Sequence, residues 1–160
     1  MSKIENPENR YLNLLQFILG ILWLKSCYGK FISNDFIDNI AKTLIFFSSK
    51  NPVGWYKAFL VNTAIPYAHL FAELSRWGEL TGGVLLVLTS VYSLYNYQST
   101  ISSLLAVIGL LIVMNLNFNF GLASYWTSPA NETLNLLMFL VELIILIYQF
   151  KRILSIHSHD

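Results

Sequence analysis

Long apolar stretches alternate with short polar ones along the chain, and four of the apolar stretches reach bilayer-crossing length. The plainest runs from Ile101 to Met114, with no ionisable side chain and with Ser102 and Ser103 as its only hydroxyls. A helix on the surface of a water-soluble protein carries a polar stripe over such a length; this one has none, so its expected solvent is hydrocarbon. The pattern predicts membrane spans at about residues 10–28, 67–95, 101–121 and 132–150. The second exceeds the roughly 20 residues that a bilayer demands, so its first turns project or the helix tilts.

Between the first two spans the periodicity changes. Over about residues 32–50, Asp35, Asp38 and Lys42 are spaced among Phe36, Ile37, Ile40, Ile45 and Phe46, which predicts an amphipathic helix lying at the interface. Asn51-Pro52 breaks it, Trp55, Tyr56 and Phe59 supply rings suited to the headgroup region, and Pro66 begins the next span. Tyr92 to Thr100 and Leu122 to Pro129 read as connections, and Lys151 and Arg152 are expected to snorkel to the interface at the end of the fourth span. The fold expected is all-α: one domain over 1–160, an integral membrane four-helix bundle with an additional interfacial amphipathic helix between its first and second spans. Tyr11 to Leu24, behind Lys3 and Arg10, imitates a secretory signal, but no small-x-small site marks a mature start. Lys25 also stands where a lipoprotein-type signal ending at Cys27 needs a small residue, so an uncleaved first helix is expected.

Composition supports this pattern: 55% of the 160 residues are hydrophobic, 12% are charged, and the mean hydropathy is +0.54. A net charge of +1 without any dense Lys/Arg block argues against nucleic-acid binding. Cys27 is the only cysteine, which excludes an intrachain disulfide and any CxxC redox or zinc pattern. His157 and His159 lie in the tail and only His69 borders a span, so a bis-histidine haem is not expected; no flavin or iron–sulfur motif is recognisable either. Lys3, Arg10, Lys151 and Arg152 flank one side, while Lys25, Lys30, Lys42, Lys50 and Lys57 crowd the first loop. Because several of these loop lysines belong to an amphipathic segment that meets headgroups on either side, both termini are expected in the cytoplasm of a prokaryotic cell, with the chain multi-pass in its membrane.

Candidate chemistry concentrates in the second span. At 100° per residue, His69, Ala72, Glu73, Arg76, Glu79, Leu80 and Gly83 share about a third of the helix circumference. Charges near hydrocarbon cost at least about 2.5 kcal/mol each, so these should turn inward and pair, with Arg76 between Glu73 and Glu79. A purely structural ion-pair network is the competing reading, weakest for Glu79, which precedes the close-approach pair Gly82-Gly83. Glu142 stands mid-way along the fourth span and is positioned to meet that cluster. Two such carboxylates and an arginine suit proton exchange beside a quinone. Asn115 and Asn119 share a face as interhelical ties, with Asn117 pointing elsewhere. Trp23 and Lys30 align on the first helix, and Trp77, Tyr125 and Trp126 are candidate walls for a ring-binding pocket, or members of an interfacial belt.

Three ordered segments carry a family resemblance: Asn51-Pro52-Val53-Gly54-Trp55-Tyr56-Lys57-Ala58-Phe59-Leu60, then Ile65-Pro66-Tyr67-Ala68-His69-Leu70-Phe71-Ala72, then Trp77-Gly78-Glu79-Leu80-Thr81-Gly82-Gly83. Together with Leu122-Ala123-Ser124-Tyr125-Trp126, they resemble the DoxD/DoxX family and its small DoxD-type subunit of thiosulfate:quinone oxidoreductase. The resemblance implies a four-helix membrane subunit, partnered by a DoxA-type protein or another redox membrane subunit. It also implies oxidation of thiosulfate to tetrathionate with a membrane quinone as electron acceptor. Carried onto this chain it points to Trp55, Tyr56, Lys57, Pro66, Glu79 and Gly83. The resulting expectation assigns proton and charge chemistry to Glu79, Glu142 and Arg76, and substrate contacts to Lys30, Lys57, His69, Glu73, Trp77 and Trp126. A non-catalytic scaffold or assembly protein for redox enzymes, acting through its helix faces and amphipathic first loop, is the alternative, and a homo-oligomer is a further expected association. A transporter is disfavoured by the lack of an inverted repeat or paired broken helices.

Overall fold

A computed structural model describes residues 7–33, 35–95 and 99–157, and every regular element in it is helical. Lys3, His159, the side chain of His157 and the middle of the Tyr92–Thr100 connection lie outside the described residues. The order is α1 (Pro7–Ile32), α2 (Asp35–Ser49), α3 (Gly54–Phe59), a π-helical turn (Leu60–Ala64), α4 (Ala68–Tyr95), α5 (Thr100–Ser124), a 3-10 turn (Tyr125–Thr127) and α6 (Pro129–His157). α1, α4, α5 and α6 are long and apolar enough to cross a membrane, matching the four expected spans.

Local sequence explains the boundaries. α5 starts at Ser99, whose hydroxyl accepts from Ser102 N–H at 3.3 Å, and α6 starts with Ser128 Oγ accepting from Asn131 N–H at 3.2 Å, followed by proline in the first helical position. Pro66 lacks an N–H and crowds the carbonyl of the preceding turn, and there the chain widens so that Ile65 N–H reaches Leu60 O at 2.8 Å. α2 turns Phe36, Ile40, Leu44 and Phe47 toward the bundle and keeps Asp35, Asp38 and Lys42 outside. Asn51 fastens the following turn: its Oδ1 accepts from Val53 N–H, and its Nδ2 donates to Leu122 O at the end of α5.

The four long helices form a ring in the order α1, α4, α5, α6, each antiparallel to its neighbours. The register shows in the contacts, since Gln16 meets Thr89 whereas Lys30 meets Glu79, and Gln149 meets Gln16 whereas Glu142 meets Trp23. Two glycine crossings set the spacing. A Cβ on Gly20 would come within 3.0 Å of the backbone of Gly83 and Val87, and one on Gly82 within 3.3 Å of Gly109 O. Leu19, Leu86, Leu110, Val113 and Ile145 fill the centre at 3% exposure or less. Arg152 departs from the expected snorkel: it is buried, with Nη1 donating to Ser93 Oγ at 2.8 Å, because a serine face on α4 offers a partner inside the bundle.

Gly20→Ala should lower the stability of the purified protein by about 1–3 kcal/mol, since the added methyl meets backbone that cannot rotate away. Ile18→Ala, on an outward position, should change it by no more than about 0.5 kcal/mol. Chemical or thermal unfolding in detergent measures both, and equal midpoints for the two variants would contradict the crossing.

Candidate functional site

The α1–α4 register carries Lys30, in the last turn of α1, onto Glu79, which is fully buried. Lys30 Nζ donates to Glu79 Oε1 and, at 3.3 Å, to Ser75 Oγ. The same ammonium lies 5.0 Å from the Phe36 ring centroid and 4.9 Å from that of Phe120, so aromatic faces complete its shell. Each charge is matched by the other, and Ser75 and the two rings complete the shell of the ammonium.

A cavity of about 300 Å³ opens beside this pair, roofed by α2. Its rings are Phe36, Phe47, Tyr56, Phe59, Phe71 and Phe120, and its polar edge is Lys30, Ser75, Asn115 and Asn119. Tyr56 crosses it: its hydroxyl donates to Asn119 O at 2.9 Å, and burial pushes the phenol from 10.0 up to about 12. The residues suit a flat, partly polar ring, with aromatic walls for its faces and hydrogen-bond donors for its edge.

Glu142 forms a second centre. It is fully buried, and its two oxygens are held separately, by Trp23 Nε1 at 3.1 Å and by Asn117 Nδ2 at 3.2 Å. Asn117 also donates to Asn135 O at 3.2 Å. Glu142 does not contact Glu79; Trp23 and Phe120, with ring centroids 6.4 Å apart, stand between the two centres.

The geometry corrects several expectations. Arg76 does not bridge Glu73 and Glu79: it closes a fork on Glu73 at 2.9 and 2.8 Å, with its guanidinium 4.7 Å from the Phe31 centroid. Glu79 pairs with α1 instead, because the glycine crossing presents Lys30 to it, while Arg76 sits further round toward the surface with 20% of its side chain exposed. Trp77 and Trp126 do not share a pocket: Trp77 packs edge-on against Phe31 at 5.2 Å, and Trp126 lies 5.6 Å from Phe46 with its Nε1 on Ala123 O. His69 and Lys57 are exposed, Lys57 reaching Ser49 O at 3.4 Å. Of the expected site residues, Lys30 and Glu79 come together, Glu142 stands one aromatic layer away, and Glu73, Arg76, Lys57, His69, Trp77 and Trp126 lie outside the chamber.

Asn117, Phe120 and Ser75 were not among the expected site residues. The signal for Asn117 is its spacing: Ala106, Leu110 and Val113 precede it by eleven, seven and four residues on the buried stripe of α5. A polar ladder at the opposite end was also unforeseen. There Gln149 Nε2 donates to Gln16 Oε1 at 2.6 Å, and Gln16 Nε2 donates to Thr89 Oγ1 at 2.8 Å and Leu86 O at 3.1 Å.

Comparisons of the chain with protein-family models, with curated proteins and with solved structures find no match.

Lys30→Met leaves Glu79 buried without its cation and should cost about 3–5 kcal/mol in detergent unfolding, with part of the loss recovered in Lys30→Met/Glu79→Gln. Additive losses in the double variant would contradict the pairing. Tyr56 makes an alkaline prediction. Above the ordinary phenol value of 10.0 the unfolded chain releases this proton, and the folded chain keeps it until about 12. The contribution is therefore intact below pH 10 and is lost as pH rises to about 12, amounting to about 3 kcal/mol. Relative to Tyr56→Phe, the parent protein should lose stability across that window and show one additional late phenolate in its absorbance titration.

Proposed function

We propose that this chain is the membrane subunit of a sulfur-compound:quinone oxidoreductase, with thiosulfate as the reductant and the chamber beneath α2 as the seat of the quinone ring. The observation that carries the reading is the combination of six aromatic walls with the Lys30 ammonium at the polar edge, itself paired to the buried Glu79 behind it. The resemblance of the segments around Trp55, Pro66 and Glu79 to the DoxD/DoxX family supports the substrate pair. Two thiosulfate ions join through a new S–S bond and release two electrons; the quinone takes up those electrons and two protons to become a quinol. The electrons reach the quinone through a DoxA-type or other redox subunit. In this chain, Lys30 donates a hydrogen bond to the ring oxygen that gains charge, and Glu79 returns the proton that Lys30 passes on. Glu142, Trp23 and Asn117 hold the neighbouring wall.

The setting belongs to the same proposal: a multi-pass protein of a prokaryotic cell membrane, with α2 at the interface and both termini cytoplasmic. Exposed Ile45 and Phe46 beside the charged face of α2 support the interfacial placement. One observation favours a second reading, a non-catalytic scaffold: only 17% of the α6 span is buried in the chain, against 44% for α5, so α6 presents a broad face to a partner helix or a second copy.

Thiosulfate added to the protein assembled with its redox partner should reduce a quinone analogue, and Glu79→Gln should slow that turnover about 100-fold with the complex still assembled. Absence of reduction by a folded complex, or a Glu79→Gln variant that falls apart while having no intrinsic activity to lose, would favour the scaffold.

A further inference from the structure

We infer that the cleft between α1 and α6 is the seat of the isoprenoid chain of that quinone, with Phe120 as the partition between chain and ring; the inference rests on the quinone reading above. The cleft encloses about 470 Å³, within the roughly 300–1,000 Å³ of small-molecule sites. Its mouth is formed by Ile18 and Leu22 on α1 and by Leu134 and Leu137 on α6, which are 48%, 49%, 56% and 56% exposed. It therefore opens sideways, through the lipid-facing surface of two spans, where a hydrocarbon chain arrives without crossing water.

The inner wall is Trp23, Asn117 and Phe120. Phe120 is also a wall of the chamber beneath α2, its centroid 4.9 Å from Lys30 Nζ on that side and 6.4 Å from the Trp23 ring on the other. A hydrocarbon-lined cleft and a ring-lined chamber separated by one side chain match a ligand with an apolar tail and a flat polar head. Charge selects among chain-bearing lipids. Among the described residues no cation lines the cleft, and the Lys30 ammonium lies across Phe120 and is committed to Glu79, so the phosphate of a phospholipid has no counter-charge there. The neutral amides of Asn117 and Asn135 tolerate an uncharged lipid.

The test compares two probes on the full chain in lipid nanodiscs: a decyl-substituted benzoquinone and a ring-only methylated benzoquinone, with binding followed by quenching of tryptophan fluorescence. Leu22→Phe and Leu137→Phe narrow the mouth at half-exposed positions; each single variant is read alone should the double variant unfold earlier than the parent. Affinity for the decyl probe should fall about tenfold or more, while that for the ring-only probe stays within about twofold. Equal losses for both probes, or no loss for either, overturn the cleft assignment and leave the quinone chamber standing. A parent protein that binds neither probe overturns both. A co-purified phospholipid that the decyl probe does not displace, read by lipid mass spectrometry, overturns the cleft assignment as well.

Discussion

Backbone contact between α1 and α4, permitted by Gly20 and Gly83, is the interaction on which the remaining geometry hangs. A side chain at either crossing point would hold the two helices apart by its own width. With the helices touching there, residues counted outward in opposite directions meet, Gln16 with Thr89 and Lys30 with Glu79. Gly82 repeats the arrangement against Gly109 on α5. Adjacent residues on a helix point about 100° apart, so the Gly82-Gly83 pair lets α4 approach two different neighbours of the ring. Gln16, Thr89, Lys30 and Glu79 thus owe their partners to crossing positions that have no side chain at all.

The same register resolves the cost of placing polar groups in an apolar bundle. A buried carboxylate or amide without a partner costs several kcal/mol in hydrocarbon, where water cannot substitute. Glu142 meets this by dividing its oxygens between an indole from α1 and an amide from α5, and Glu79 by taking an ammonium from α1. The two ties from α1 join helices that are distant in sequence, and with the Asn117–Glu142 tie they specify one antiparallel arrangement among those that apolar packing alone would permit.

Much of this was legible before any coordinates. Apolar length announced the four spans, and the change of period between Asp35 and Lys42 announced α2. Glu79 and Glu142 stood out because a charge inside an apolar run is costly and so has a partner. The identity of that partner was not legible. Arg76 is as close to Glu79 as to Glu73 in sequence, and local spacing cannot express that α1 brings a lysine from 49 residues away. Asn117 was obscured by Asn115 and Asn119, whose shared face is the more peripheral one. Arg152 looked like a headgroup anchor because nothing in a linear reading shows that Ser93 faces it.

Between the Glu142 level and the Gln16–Gln149 ladder, each helix contributes an apolar side chain to one layer: Leu19, Leu86, Leu110 and Ile145, all essentially without solvent contact. Among the described residues no hydrogen-bonding side chain bridges that layer, so it divides the buried polar groups into two separate sets. The bundle is thereby insulated at its waist, with its two polar ends joined only through hydrocarbon.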